Sequence, residues 1–299
     1  MESIIMCGAD PELMICNTEN ELVCAIPLVP GTKEVPFQVK LGAVQHDNVM
    51  GEFNIDPAAT LEEFITNLRT VLQQLAKMVA PHRLVVRASA DYPEKALEMP
   101  ETKIFGCDPD FNAWSLTMNE IDGTASALPF RSSGGHFHFG YKEESKELLT
   151  DPYGKADVIR AADIFMGIPS VFMDSDPTAP ARRLLYGKAG AHRPKEYGVE
   201  YRTLGNFWVK SPATAQAIYL LADLAVRIVL DNRLDEVVAA VGGQERVQDI
   251  INNSRTEEAR EVFERVLTHY IPAETARRVR AVATIHEVMD FYQSWEIPA

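Results

Sequence analysis

The boundary between two halves of different character is the stretch Arg182-Arg183-Leu184-Leu185-Tyr186-Gly187-Lys188-Ala189-Gly190-Ala191-His192-Arg193-Pro194-Lys195-Glu196-Tyr197-Gly198-Val199-Glu200-Tyr201-Arg202. Residues 182–210 hold seven basic and two acidic residues, whereas the whole chain has a net charge of −14. The basic residues alternate with glycine and tyrosine, which is typical of a loop that binds a polyphosphate. The alternative interpretation is a solvated charged face. We expect an irregular basic loop.

Glu200 and Arg202 close this stretch. Residues two apart on a strand project to the same face, so the carboxylate and the guanidinium are expected side by side. Such a pair suits a metal ligand next to a phosphate or substrate clamp, and the structural alternative is a local ion pair.

Hydrophobic periodicity differs on the two sides of the boundary. Apolar residues recur at helical spacing over 213–230, 257–270 and 273–292. Before the boundary, strand-like segments surround one strong helix, which begins with the capping box Thr60-Leu61-Glu62-Glu63. The pattern predicts an α+β fold, with a mixed core at residues 1–210, whose polar loops would carry the chemistry, and a helical region at 211–299 packed on it.

Shorter patterns predict the remaining elements of the first part. Strands are expected over 83–90, 111–116 and 135–141, and a further helix is expected over 156–172. Asp10-Pro11 is typical turn chemistry and predicts a turn there.

Two histidines share one predicted strand face in Gly134-Gly135-His136-Phe137-His138-Phe139. The alternation directs both imidazoles to one side and both phenyl rings towards the core. The paired glycines would let a ligand approach the backbone, and Arg131 lies just before them. The alternative is a polar strand face with two solvated histidines.

Carboxylates also follow strand spacing. Glu52 and Asp56 alternate with apolar residues, and Glu12 lies in a similar segment. Gly8-Ala9-Asp10-Pro11-Glu12 has a short echo in Gly106-Cys107-Asp108-Pro109-Asp110, where each copy would supply an acidic side chain. Hard cations such as Mg²⁺ prefer oxygen ligands of this kind, although an ordinary amphipathic strand shows the same alternation.

Composition excludes several classes of protein. A net charge of −14 repels phosphate backbones, so broad nucleic-acid binding is not expected. No apolar run approaches the ~18 residues of a membrane span, and the first residues do not resemble a signal peptide, so we expect a cytoplasmic protein. The four cysteines lack zinc-clip spacing. P-loop, dinucleotide-binding and nucleophile-elbow motifs are absent from the sequence.

Four segments, in this order, resemble the phage-encoded COOH·NH2 ligase family of the glutamine synthetase and glutamate–cysteine ligase superfamily. They are Gly8-Ala9-Asp10-Pro11-Glu12, Gly51-Glu52-Phe53-Asn54, Gly134-Gly135-His136-Phe137-His138, and Tyr186-Gly187-Lys188-Ala189-Gly190 with Glu200-Tyr201-Arg202. The resemblance implies a curved antiparallel sheet flanked by helices, whose concave face holds Mg²⁺ and ATP. It also implies that ATP phosphorylates a carboxylate and that an amine then displaces the phosphate to form an amide.

The resemblance further implies roles for single residues. Metal-ligand positions of the superfamily match Glu12, Glu52, His136 and Glu200. The expected ion is Mg²⁺, with Mn²⁺ as the alternative. His138 matches a phosphate-side position, and Arg202 matches the arginine that serves the transition state or the substrate carboxylate.

Proximity in the sequence, rather than a motif, suggests the remaining site residues. Lys188, Arg193 and Lys195 are expected near the ATP phosphates, and Arg131 near the substrate carboxylate. Asp108 and Asp110 are further candidate metal ligands.

Two other functions compete with the ligase. His136-x-His138 followed by Glu143 imitates the first metal motif of a cupin, although no second motif is found. A non-catalytic binding protein on a ligase-like scaffold is the other alternative. The substrates expected for a ligase are a small-molecule or peptide carboxylate and an amine. Neither their identity nor the oligomeric state follows from the sequence, and the cytoplasm would be the host's if the chain is phage-encoded.

Overall fold

A computed structural model describes residues 3–103, 110–119, 129–284 and 290–298. The strands are β1 Ile5–Cys16, β2 Leu22–Val23, β3 Phe37–Val39, β4 Gly42–Asp47, β5 Met50–Ile55, β6 Arg83–Val85, β7 Ser89–Asp91, β8 Phe111–Asn112, β9 Thr117–Met118, β10 Phe130–Ser132, β11 Gly135–Tyr141, β12 Ala191–Lys195 and β13 Gly198–Tyr201. The α-helices are α1 Leu61–Val79, α2 Lys146–Thr150, α3 Pro152–Ala162, α4 Ile168–Met173, α5 Ala179–Leu185, α6 Pro212–Leu230, α7 Leu234–Val241, α8 Gln244–Asn252, α9 Thr256–Arg265, α10 Ala273–Thr284 and α11 Phe291–Ser294. The predicted α+β class is confirmed.

One large antiparallel sheet organises the first part of the chain. Its strand order is β3-β4-β5-β1-β11-β13-β12-β8-β9, and β2 and β6 pair with the end of β1. The long strand β1 is the centre, because it pairs with β11 along its first half and with β5 at Glu12 and Leu13. A separate two-stranded sheet joins β10 to β7.

The hydrophobic core covers one face of this sheet. Alternation along β11 places Phe137 and Phe139 in the core, as predicted. Phe64 of α1 lies between them and α6, with ring centroids 5.7 Å from Phe137 and 5.3 Å from Tyr219. The burial of these aromatic rings fixes which face of β11 is left for polar side chains.

The C-terminal helices join the same core as the sheet. Buried residues of α6, α9 and α10 continue the apolar cluster of the strands. The division of the chain at residue 210 stays a prediction. Helix α6 meets the length and composition of a membrane span, with a mean hydropathy of 1.6, which differs from the expectation that no apolar run approaches that length. Half of that stretch is buried inside the protein.

The predicted turn at Asp10-Pro11 is wrong, because β1 continues through it. Pro11 pairs with Gly135 and has no N–H to donate. The carbonyl oxygen of Gly135 accepts a hydrogen bond from Trp208 Nε1 at 2.9 Å, and its N–H donates to the Leu204 carbonyl oxygen at 3.0 Å. Both backbone groups of Gly135 are therefore hydrogen-bonded, although Pro11 opposite it cannot donate.

The expectation of an irregular stretch at 182–210 is also wrong. It contains the end of α5 and the hairpin of β12 and β13. Two other predictions were too long: residues 83–90 form two short strands, and the strand at 111 ends at Asn112. The helix expected over 156–172 is interrupted by a π-helical turn at Asp163–Gly167, between α3 and α4.

The later helices were predicted unevenly. Helix α6 is confirmed, and α9 ends at Arg265, short of the predicted residue 270. Helix α10 covers Ala273–Thr284, and the predicted continuation over 285–289 lies outside the described residues. The patterns of α7 and α8 were missed, because each is only eight or nine residues long.

The capping box predicted from the sequence is present at the N-terminus of α1. Thr60 Oγ1 accepts from the Glu63 N–H, and Glu63 Oε2 accepts from the Thr60 N–H, each at 3.2 Å. Thr60→Ala should lower the free energy of unfolding by about 1 kcal/mol, measured by urea denaturation. Thr66→Ala, an exposed position within the same helix, is the matched control and should not destabilise, because alanine is the better helix former. An equal loss in both variants would contradict the role of the cap.

Candidate active site

The strand register brings the polar residues of four strands together on the face opposite the core. Asp10 of β1 lies opposite His136 of β11, and His138 lies opposite Glu200 of β13. Glu200 in turn lies opposite Arg193 of β12. Directly opposed residues of antiparallel strands share a face, so the five side chains form one cluster.

The centre of the cluster is a set of short contacts around Asp10. His136 Nδ1 lies 3.2 Å from Asp10 Oδ1, and His138 Nε2 lies 3.1 Å from the same oxygen. His136 Nδ1 also lies 3.6 Å from Glu200 Oε1. Asp10, which was not among the predicted ligands, therefore joins the two histidines, and His136 connects them to Glu200.

Three cationic side chains surround the buried Glu200. Lys195 Nζ lies 2.9 Å from Glu200 Oε2, and Arg193 Nη1 lies 3.7 Å from Oε1. Arg202 Nη1 donates a short hydrogen bond to Glu200 Oε1. The predicted pair of Glu200 and Arg202 exists, and Arg193 and Lys195 join it from a strand rather than from a loop.

Arg202 has further partners that define its position. Its Nη2 donates a short hydrogen bond to the Tyr186 hydroxyl, and its Nε lies 3.5 Å from Asp110 Oδ2. The ring centroid of Tyr186 lies 5.4 Å from the guanidinium carbon of Arg202 and 5.5 Å from that of Arg182. Arg202 is thus held between aromatic and acidic neighbours in a buried position.

A second acidic group lies next to the cluster on β1 and β5. Glu12 lies opposite Glu52, and both are buried. Glu12 Oε2 accepts from the Gly134 N–H at 2.7 Å, and Glu52 Oε2 accepts from Gln45 Nε2 at 2.9 Å. Burial, reinforced by Asp47, raises the pKa of Glu12 to about 8. Burial and then Asp10, Asp47 and Glu12 raise the pKa of Glu52 well above its usual range.

The ionisation of the central residues follows their neighbours. Burial favours protonation of Asp10, but the charges of His138 and His136 outweigh it and lower the Asp10 pKa. Burial lowers the pKa of His136, and the positive charge of Arg202 lowers it further. Burial acts in the same direction on His138, yet Asp10 and Glu200 leave its pKa raised.

A divalent cation fits the arrangement of Asp10, His138 and Glu200. One ligand atom from each lies within 4.8 Å of the other two. Asp10 Oδ1, His138 Nε2 and Glu200 Oε2 are all buried without an aligned hydrogen bond, despite their ion-pair contacts. Adjacent ligands of an octahedral ion at about 2.1 Å are about 3.0 Å apart. The 3.1 Å separation of His138 Nε2 and Asp10 Oδ1 matches that spacing.

Other predicted residues lie apart from this cluster or outside the described residues. The Arg131 guanidinium donates to the carbonyl oxygens of Phe130 and Thr102 and to Asn48 Oδ1, apart from the cluster, and its substrate role stays a prediction. The Lys188 carbonyl oxygen accepts from Thr203 Oγ1 at 3.0 Å, in the turn before β12. Asp108 lies outside the described residues, whereas Asp110 contacts Arg202.

The cupin alternative requires Glu143 as a ligand beside His136 and His138. Glu143 is exposed in a short helical turn at Glu143–Ser145, beyond the end of β11 at Tyr141. Among the described residues, the group of metal-ligating atoms that includes His138 uses Asp10 and Glu200 instead.

Asp10, Tyr186 and Tyr197 were missed as site residues. Asp10 could have been found, because it precedes Glu12 by two residues on the same strand and so shares its face. The tyrosines carried no such signal, since their contacts depend on how the turn before β12 and the β12–β13 hairpin fold back on β11. The Tyr197 hydroxyl lies 2.6 Å from His138 Nδ1, and the Tyr186 hydroxyl lies 3.5 Å from His136 Nε2.

The paired glycines serve packing within the described structure. A Cβ atom at Gly134 would overlap His136 Nε2, and one at Gly135 would overlap the Gly205 carbonyl. Close approach of the protein's own groups therefore accounts for both glycines without a ligand.

Gly134→Ala tests whether this glycine holds His136 in place. The variant should displace the imidazole, lower the free energy of unfolding by about 1–3 kcal/mol in urea and shift the His136 ring signals in NMR spectra. Gly51→Ala is the control, because its Cβ would meet Val29 Cγ2 at an ordinary 3.4 Å. Unchanged His136 signals in Gly134→Ala would contradict the packing argument.

Comparison with known proteins identifies the family of the chain. No curated protein matches the sequence. Residues 114–296, more than half of the chain, match the family described as phage phiEco32-like COOH.NH2 ligase-type 2. The match includes His136, His138, Glu200 and Arg202, and it begins after Asp10, Glu12 and Glu52. The chain belongs to this family of carboxylate–amine ligases, as the resemblance predicted.

Proposed function

We propose that the protein is an ATP- and Mg²⁺-dependent ligase that forms an amide or peptide bond through an acyl phosphate. In the first step a carboxylate oxygen attacks the γ-phosphorus of ATP, and the bond to the β,γ-bridging oxygen breaks to release ADP. In the second step an amine nitrogen attacks the acyl carbon, the C–O bond to phosphate breaks, and the amine loses a proton to solvent or a base. The products are an amide, ADP and phosphate.

The observation that carries the proposal is the convergence of Lys195, Arg193 and Arg202 on buried Glu200, beside the unsatisfied ligand atoms of Asp10 and His138. Phosphoryl transfer needs both features, because negative charge from the phosphates and the carboxylate must be neutralised at one point.

Asp10, His138 and Glu200 would hold the metal ion. When bound, the ion would neutralise phosphate oxygens and orient the γ-phosphate towards the carboxylate. Mn²⁺ is the alternative ion, since carboxylate ligands suit it as they suit Mg²⁺. Glu12 and Glu52 remain proposed ligands of a further ion, whose charge would offset the burial and the carboxylate repulsion that together raise the pKa of Glu52. His136 contacts Asp10 and Glu200 and stays a proposed ligand on that basis.

The cations would act on the phosphates once those arrive. Arg193 and Lys195, 15% and 30% exposed, can turn from Glu200 towards the nucleotide. Arg202 is more deeply held and can donate two hydrogen bonds from its planar fork. We assign Arg202 to the oxygens that gain charge during phosphoryl transfer. A small-molecule or peptide carboxylate and an amine complete the reactants.

A screen for ADP release tests the function. Purified protein, Mg²⁺ and ATP are incubated with pairs of amino acids, short peptides and amines, and ADP should form only when an acceptor pair is present. With a productive carboxylate labelled with ¹⁸O, one labelled oxygen should appear in the released phosphate. Phosphate without label would exclude the acyl phosphate. A chain that binds neither Mn²⁺ nor a non-hydrolysable ATP analogue by calorimetry would be the non-catalytic scaffold protein.

Arg202→Lys separates catalysis from folding. The variant should fold and bind the ATP analogue nearly as well, because the charge remains, while turnover falls by roughly 10²- to 10³-fold through loss of the forked donor. Urea denaturation and calorimetry measure the first two properties, and ADP release measures the third.

The control is Arg233→Lys, which alters an exposed ion pair with Glu236 and should keep full turnover. If Arg202→Lys unfolds, Arg202 is a structural partner of Glu200. If it retains wild-type turnover, the reaction does not occur at this strand.

A further inference from the structure

Tyr197 makes a close contact with the candidate metal ligand His138. It lies in the turn between β12 and β13, and its hydroxyl is 2.6 Å from His138 Nδ1. The two rings are stacked, with an interplanar angle of 9° and centroids 5.9 Å apart. Both the hydrogen bond and the stacking restrict rotation of the imidazole, so the direction of Nε2 depends on Tyr197.

The turn that carries Tyr197 is itself fixed to β11. The Tyr197 carbonyl oxygen accepts from the Tyr141 N–H at 3.0 Å. The next residue, Gly198, has a φ of +146°, and a Cβ there would overlap the Phe139 carbonyl oxygen. Only glycine allows the turn to approach β11 so closely, and this approach places the tyrosine hydroxyl beside the His138 imidazole.

The two imidazole nitrogens of His138 have different surroundings. Nδ1 is taken by the Tyr197 hydroxyl, whereas Nε2 lies 3.1 Å from Asp10 Oδ1 without an aligned hydrogen bond. A neutral imidazole carries its proton on one nitrogen and a lone pair on the other. If Nδ1 donates its proton to the tyrosine oxygen, the lone pair of Nε2 is available to a metal ion.

We propose that Tyr197 is a positioning residue that selects the Nδ1–H tautomer of His138 and thereby directs Nε2 to the metal ion. The inference rests on the proposed metal site and deepens it. It assigns His138 to the metal rather than to the phosphate, because an Nε2 that coordinates a metal cannot also donate a proton to phosphate. Tyr197 touches neither substrate nor metal in this role and acts through His138.

Mn²⁺ binding measures the effect without any need for a substrate. The amount of free Mn²⁺ is followed by electron paramagnetic resonance in wild type, Tyr197→Phe and Tyr153→Phe. Tyr197→Phe keeps the stacked ring and removes the hydroxyl, so affinity should fall by roughly 10-fold, at the lower end of losses seen for partners of metal ligands. Tyr153 is 71% exposed, and its variant should bind as wild type does.

A double-mutant cycle shows whether Tyr197 acts through His138. In a His138→Asn background, the loss caused by Tyr197→Phe should disappear, because no imidazole remains to be oriented. Long-range ¹⁵N–¹H spectra of the Zn²⁺-loaded protein give a second readout. Wild type should show His138 with its proton on Nδ1, and Tyr197→Phe should show a mixture of tautomers or a weakened Zn²⁺ complex.

Each outcome separates this inference from the proposed function. Wild-type protein that binds no Mn²⁺ would remove the metal site itself. Two results would overturn the role of Tyr197 and leave the ligase proposal intact. In the first, Tyr197→Phe binds Mn²⁺ as tightly as the wild type does. In the second, Tyr197→Phe causes the same loss of affinity in the His138→Asn background as in the wild type. A proton on Nε2 in the metal-loaded wild type would return His138 to the phosphate side.

Discussion

The register of β11 between β1 and β13 is the constraint on which the rest of the structure depends. A slip of one residue would turn His136 and His138 into the core and expose Phe137 and Phe139. Packing of Phe64 against Phe137 opposes such a slip, because it would lose a buried aromatic contact. The same hydrophobic burial that stabilises the sheet therefore sets the geometry of the polar face.

The buried charge of Arg182 is the second constraint, because the hydrogen bonds that it makes hold the loops on both sides of the site in place. Arg182 is fully buried and donates to the carbonyl oxygens of Ser133, Thr203 and Leu204 at 2.7–3.0 Å. Burial lowers its pKa to about 10, so it stays charged near neutral pH. These bonds join the segment before β11 to the segment after β13 and support the ring of Tyr186 against Arg202. An isolated buried cation would be unfavourable, whereas one that satisfies three carbonyls fixes the backbone on both sides of the cluster.

The sequence predicted those parts of the fold and site that depend on local periodicity. The capping box of α1, the alternation of His136 and His138, and the pairing of Glu200 with Arg202 all follow from spacing along one element. The prediction of a turn at Asp10-Pro11 is wrong because Trp208 and Leu204 provide hydrogen bonds to Gly135, the residue paired with Pro11, that proline cannot complete. The glycines and charges around Arg193 and Lys195 resemble those of a loop, so the sequence did not predict the β12–β13 hairpin. The two residues lie in a strand because they pair with β13. The contact of Tyr197 with His138 joins residues that are far apart in the sequence, so no spacing along the chain predicts it.

The match to the ligase family begins at residue 114, yet the site is composed from both sides of that point. Asp10, Glu12 and Glu52 come from β1 and β5, while His138, Glu200 and Arg202 come from β11 and β13. Without β1 the strand β11 would lose its partner along all seven paired residues, from Gly135 to Tyr141. Without α1 the rings of Phe137 and Tyr219 would lose Phe64 between them. An exposed strand edge and an opened aromatic core would both destabilise the remainder. The matched region is therefore not a separable folding unit, because its hydrophobic core requires residues that precede it, as does the metal site proposed above.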